Sequence, residues 1–197
     1  MKLRRLLFLA SMLACLPLIG CPSYSVHPLY SDHDAVVEPA LEGTWVGPDS
    51  GDQEELTFKK IGDYEYSMAV FDPDLKISQT YKVHLVHLGG QLFMDLVFDQ
   101  QTLNGATLND PLGVLPMHVI LKLKVSGDDL AYAALEDDAI KKQNPSAGAP
   151  LDYEISDGGL VVTAPTDALR RYISAHTEDA FSDFDHFKRK AKAPVRP

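Results

Sequence analysis

From residue 55 onward the chain is written in period two, in short runs whose every second side chain is apolar, cut by glycine-bearing turns. In "ELTFKK", Leu56 and Phe58 alternate with Thr57 and Lys59; in "DYEYSMAVF", Tyr64, Tyr66, Met68 and Val70 alternate with Glu65, Ser67 and Ala69. Successive side chains of a strand point to opposite faces, so each run predicts a half-buried strand. "KISQTYKVHLVHL" and "QLFMDLVF" follow, joined by Gly89-Gly90, a dipeptide that reaches positive φ without a steric penalty and so predicts a tight hairpin turn.

Beyond a loop rich in Asn, Gly, Asp and Pro, "HVILKLKVSGDDLAYAAL" predicts a second hairpin. Val119, Leu121, Leu123 and Val125 face one way, Lys122 and Lys124 the other, and the turn falls at Gly127-Asp128-Asp129. "EDDAIKKQN" has acids first and lysines last, the charge order of a short helix. "LDYEIS" and "LVVTA" around Gly158-Gly159 predict a last hairpin. A C-terminal helix is predicted over 166–178, with Thr166 as cap and Leu169, Tyr172, Ile173 and His176 at helical spacing. Phe181, Phe184 and Phe187, followed by basic residues, read as a tail over 181–197 whose phenylalanines dock on the domain while the basic end is solvated; a segment lying on anionic lipid is the alternative.

The fold class that follows is mainly β, a single antiparallel sheet of about eight strands. That many sequentially paired strands leave exposed edges unless the sheet closes, which favours a barrel or a strongly curved sheet. A β-sandwich or another α+β layout is the alternative. Within "LEGTW", Gly43 and Trp45 resemble the Gly-x-Trp opening of the lipocalin and fatty-acid-binding superfamily. That resemblance implies an eight-stranded barrel with Trp45 plugging its closed end and a helix packed outside.

The N terminus has a separate logic. "MKLRR" is basic, and the fifteen residues from Leu6 to Gly20 carry no charge. This is the layout of a secretory signal, too short for the roughly 20 residues of a membrane-spanning helix. Its end, Leu18-Ile19-Gly20-Cys21, resembles the lipobox of bacterial lipoprotein precursors. The resemblance implies cleavage between Gly20 and Cys21, a diacylglycerol thioether on Cys21 and acylation of the new amino group. Cys15 leaves with the signal, so no disulfide forms within the mature chain, and acylation removes an unpaired thiol from an oxidising compartment. Pro22, not Asp, follows the cysteine. The retention signal of enteric inner-membrane lipoproteins is therefore missing, which points to the outer membrane of a diderm cell.

Removing residues 1–20 takes away Lys2, Arg4 and Arg5 and no acid. The balance becomes 15 basic against 28 acidic residues, −13 instead of −10 with His neutral. So acidic a chain repels phosphate backbones, which excludes nucleic acid as a partner class. Residues 21–40 mix proline, small residues and acids and read as a lipid-anchored tether, with Tyr24, Val26, Leu29 and Tyr30 apolar enough to lay part of it along the domain surface as the alternative; 41–180 is left as one β-rich domain.

Chemistry-bearing patterns are sparse. There is no Gly-x-Ser-x-Gly elbow, no Ser-x-x-Lys and no phosphate-cradling loop, so no catalytic residue, cofactor or metal is predicted. His84 and His87 are three apart, on opposite strand faces, and with His118 they lack the spacing of a metal site. Asp95 interrupts "LFMDLVF" on the face of Phe93 and Val97; it either points inward to orient a ligand or bonds a backbone amide on the outer surface. Trp45, Tyr64, Tyr66, Phe93, Asp95 and Phe98 are the candidate ligand-lining set. Two functions follow: a membrane-anchored envelope lipoprotein holding a small apolar ligand, or a non-catalytic accessory protein that binds an envelope partner.

Overall fold

The structure is a computed structural model, and it describes residues 23–31, 33–47, 55–72, 77–103, 106–109, 116–143, 150–156 and 159–191. The signal segment, Gly20 and Cys21 lie outside them. Among the described residues the strands are β1 Tyr24–Ser25, β2 Ala35–Val36, β3 Gly43–Val46, β4 Glu55–Lys60, β5 Glu65–Asp72, β6 Ile77–Leu88 and β7 Gln91–Leu103. They continue as β8 Ala106–Asn109, β9 His118–Ser126, β10 Asp129–Ala134, β11 Tyr153–Ser156, β12 Gly159–Val162 and β13 Asp185–Arg189. Two α-helices, α1 Asp137–Lys141 and α2 Thr166–Ala175, and a 3₁₀ turn at Pro39–Leu41 complete the set.

Eight strands close into the expected antiparallel barrel, in the order β3-β4-β5-β6-β7-β9-β10-β13 and back to β3. The β6–β7 hairpin turns on two residues between Leu88 and Gln91, with Gly89 at φ +58° and Gly90 at φ +81°. Both angles belong to a type I′ turn, whose twist matches that of the strands. Leu41, Trp45, Phe58, Tyr66, Leu85 and Met94 are among the side chains that fill the interior. A second apolar cluster lies between the outer face of β6, β7 and β9 and the layer formed by α2 and β12.

Two segments depart from the sequence reading, and a third, 21–40, takes the alternative offered for it. The tail expected from residue 181 supplies β13, the strand that closes the barrel: Leu130 pairs with Phe187, and Arg189 with Trp45. Only Phe187 of that strand enters the interior cluster, too little alternation to be recognised. The tether expected over 21–40 is docked from Ser23 onward. β1 pairs with β9 and β12, β2 pairs with β6, and Leu29 is fully buried in the outer cluster. Burying Leu29, together with the backbone pairing at both ends, offsets the entropy of ordering this strap. Helix α2, expected to reach 178, ends at Ala175. Thr166 lies inside it and donates its Oγ1 proton to the Pro28 carbonyl (2.7 Å), holding the strap instead of capping the helix.

Candidate functional site

The barrel has one sealed end and one end where the side chains thin out. At the sealed end lie the turns 61–64, 89–90 and 127–128, together with the 3₁₀ turn at Pro39–Leu41. Trp45 is fully buried and donates its indole N–H to the Leu41 carbonyl (2.9 Å), tying the barrel's first strand to that turn. The Arg189 guanidinium lies 4.0 Å above the indole ring centre. Its nitrogens donate to the Glu42 (2.7 Å) and Ala40 (2.6 Å) carbonyls, and Nε faces Asp128 at 3.2 Å. A rigid planar fork is suited to this, since it stacks on an aromatic face while satisfying several acceptors. Gly43 makes the approach possible: it sits at φ +132°, and a Cβ there would come within 2.7 Å of Arg189 Nη1.

Toward the other end, exposure of the inward side chains rises along three of the strands, though all of them stay buried. On β5 it goes from 0% at Tyr66 through 5% at Met68 to 8% at Val70; on β7 from 0% at Met94 to 5% at Leu96; on β9 from 1% at Leu121 to 7% at Val119. Tyr81 and Phe98 meet edge to face at this end, their ring centres 5.9 Å apart. A bulge lies beside them, where Tyr81 pairs with Phe98 but Thr80 with Gln100. The side chains recorded inside the barrel are almost all apolar.

Of the six residues expected to line a cavity, Trp45 and Tyr66 lie inside at the sealed end and Phe98 lies at the mouth. Burial pushes the Tyr66 phenol up, outweighing the Glu38 amide that its oxygen accepts (3.0 Å), which acts the other way. Tyr64 stands outside in the β4–β5 turn, 53% exposed. Phe93 and Asp95 are on the outer face. Phe93 packs against Phe181 with ring centres 5.6 Å apart, while Met94 and Leu96 between and beyond them point inward.

Asp95 therefore takes the second of its two roles, a bond to a backbone amide under the outer layer. It is fully buried; Oδ2 accepts the Leu29 amide (2.7 Å), and Oδ1 lies 2.6 Å from His118 Nδ1. His84 is the direct cross-strand neighbour of both Glu65 and Asp95. Its ring stacks on Tyr30 at 3.9 Å, and Nε2 lies 3.6 Å from the Glu65 carboxylate. His84 and His118 thus share a face after all, brought together by the β6–β7–β9 pairing, whereas His87 is exposed. Among the described residues no group of three or more His, Cys, Asp or Glu is arranged to hold a metal ion.

Ser25 stands opposite His118 in the β1–β9 register, so serine, histidine and aspartate meet. The Ser25 hydroxyl, however, gives its one proton to the His27 carbonyl (2.7 Å) and is covered, the residue being 1% exposed. The arrangement fastens the strap. Helix α2 reinforces it: Arg170 donates to the Leu29 carbonyl (3.0 Å) and pairs with Asp34. Burial raises the Asp34 carboxyl, but the Ser31 hydrogen bonds and the Arg170 charge outweigh this and hold it below its ordinary value.

Sequence reasoning gave no role to Arg189, which lies in a stretch without a sustained period, or to Arg170, which sits on the predicted helix but whose partners, the Leu29 carbonyl and Asp34, are set only by tertiary contact. A comparison with known proteins found no family model, no curated protein and no solved structure that matches the chain.

Proposed function

We propose that this protein is a non-catalytic envelope lipoprotein, acylated at Cys21 after cleavage behind Gly20, whose barrel takes a small apolar ligand through its open end. The observation that carries the ligand reading is the ordered rise in exposure along β5, β7 and β9, from a sealed floor to an apolar mouth. Anchoring rests on the basic and apolar leader ending in Leu18-Ile19-Gly20-Cys21. Two or three acyl chains hold a protein on a membrane durably, where one is marginal. The missing Asp after Cys21 favours the outer membrane, with the domain in the periplasm.

Ligand uptake is tested on residues 22–197, which keep the strap. Cis-parinaric acid fluorescence should rise saturably with the wild-type protein. Val70→Phe, which narrows the mouth, should weaken uptake about tenfold, equivalent to roughly 1.4 kcal/mol. A folded protein that takes up no probe and co-purifies with no lipid in native mass spectrometry would leave the accessory reading, in which the barrel offers only its outer surface to an envelope partner. Anchoring has its own readout. Cys21→Ala should abolish palmitate labelling and move the protein from the membrane fraction to the soluble one, and persistent labelling sinks the lipobox reading.

A further inference from the structure

An acylated Cys21 leaves almost no tether. Ser23, two residues on, is 1% exposed; its amide donates to the Leu135 carbonyl (3.0 Å) and its hydroxyl to Asp137 Oδ1 (2.8 Å). The other oxygen of Asp137 accepts the Leu160 amide (3.2 Å), so the start of the strap, α1 and β12 are locked together. Two residues of chain reach about 7 Å at full extension. The anchor is therefore confined to the neighbourhood of Ser23.

The surface next to that point is defined by register. β1 runs parallel to β12 with Tyr24 beside Val161, so one step back sets Ser23 beside Leu160, and Leu160 pairs with Ile155 on β11. Strands lie about 4.8 Å apart, placing Ile155 roughly 10 Å from Ser23. β11 is an edge strand, and Ile155 is 66% exposed, more than the other large apolar side chains recorded as exposed, Ile61, Tyr64 and Phe71. The β4–β5 turn with Ile61 lies across the barrel from here. Of the strands that carry this flank, β9 stands four strands from β4 and β10 four from β5, whichever way round the ring is counted.

We propose that the protein sits on the bilayer with α1 and the edge strand β11 against the lipid headgroups and the β4–β5 turn facing away. This rests on the acylation of Cys21 proposed above. The occupant of the flank is a lipid surface because the acyl chains must enter the bilayer within about 7 Å of a fixed residue. Glu136, Asp137, Asp138, Asp152 and Glu154 outnumber Lys141 and Lys142 on this flank, which fits zwitterionic better than anionic headgroups.

The test uses the full precursor, processed in a bacterial host and reconstituted in phosphatidylethanolamine–phosphatidylcholine vesicles that contain headgroup spin-labelled lipid. Ile155→Cys and Ile61→Cys each introduce one thiol for an environment-sensitive fluorophore, at exposed positions where folding is unaffected. Quenching is expected to be severalfold stronger at 155 than at 61. A flexible Gly/Ser insert of about 12 residues between Pro22 and Ser23 should erase that difference while the protein still floats with the vesicles. Equal quenching at the two positions, or a difference that survives the insert, overturns the orientation and leaves acylation standing. If the wild-type mature protein itself takes the thiol label, Cys21 is free, and the acylation and orientation readings fall together.

Discussion

Asp95→Ala is expected to destabilise the folded protein by several kcal/mol, about 1–3 kcal/mol for each of the two buried groups left without their partner. The carboxylate is fully buried and has two partners, the Leu29 amide and the His118 ring. Truncation leaves both under the outer layer without an acceptor, and each orphaned group loses its solvation as well as its bond. The strap sits directly on Asp95, so the damage spreads to the Leu29 side chain and the Arg170 bond that depend on its docking. Asp95→Asn keeps the shape and one acceptor oxygen and should cost clearly less. Urea titrations followed by the fluorescence of the single tryptophan give both values. A loss below about 1 kcal/mol for the alanine variant would contradict the assignment. In a double-mutant cycle, Asp95→Ala and His118→Ala should be strongly non-additive, since each removes the other's partner.

The second large effect is expected at Trp45. Trp45→Ala removes a fully buried indole from the barrel floor and should cost about 3–5 kcal/mol. It also leaves the Leu41 carbonyl without its donor and the Arg189 guanidinium without the ring it covers. Arg189→Lys is the informative companion. A lysine keeps the charge but cannot stack flat on the indole and reach the carbonyls of Ala40 and Glu42 at once. Circular dichroism replaces fluorescence for these denaturant titrations because the tryptophan is the reporter removed. If Trp45→Ala and Arg189→Lys add independently, the floor is two separate contacts and the account of a single seal fails.

Several features were legible because their causes are local. The alternation in "ELTFKK" and "HVILKLKV" appears in the structure as strands β4 and β9, and Gly89-Gly90 takes the positive φ angles that its lack of a Cβ allows. The number of strands and the short turns between them made closure the economical arrangement, and the sheet is closed. Other features lack a local cause. Asp185–Arg189 has one inward apolar residue, and nothing in "DHFKR" announces a strand; it becomes one because the open edges of β3 and β10 supply its hydrogen bonds. Likewise, residues 23–41 are too irregular to form structure alone, and their order comes from Asp95, Arg170 and Tyr66 on distant elements.

The candidate site divides along the same line. A side-chain period of two is a property of the backbone, so the sequence by itself determined that Phe93 and Asp95 share one face of β7 and Met94 and Leu96 the other. Which of those faces looks into the barrel is another matter. Both are apolar, because β7 is covered on one side by the opposite barrel wall and on the other by α2 and the strap, and alternation cannot rank two dry surfaces. Only closure of the ring decided that Met94 faces the interior and that Asp95 is the buried fastening beneath the outer layer.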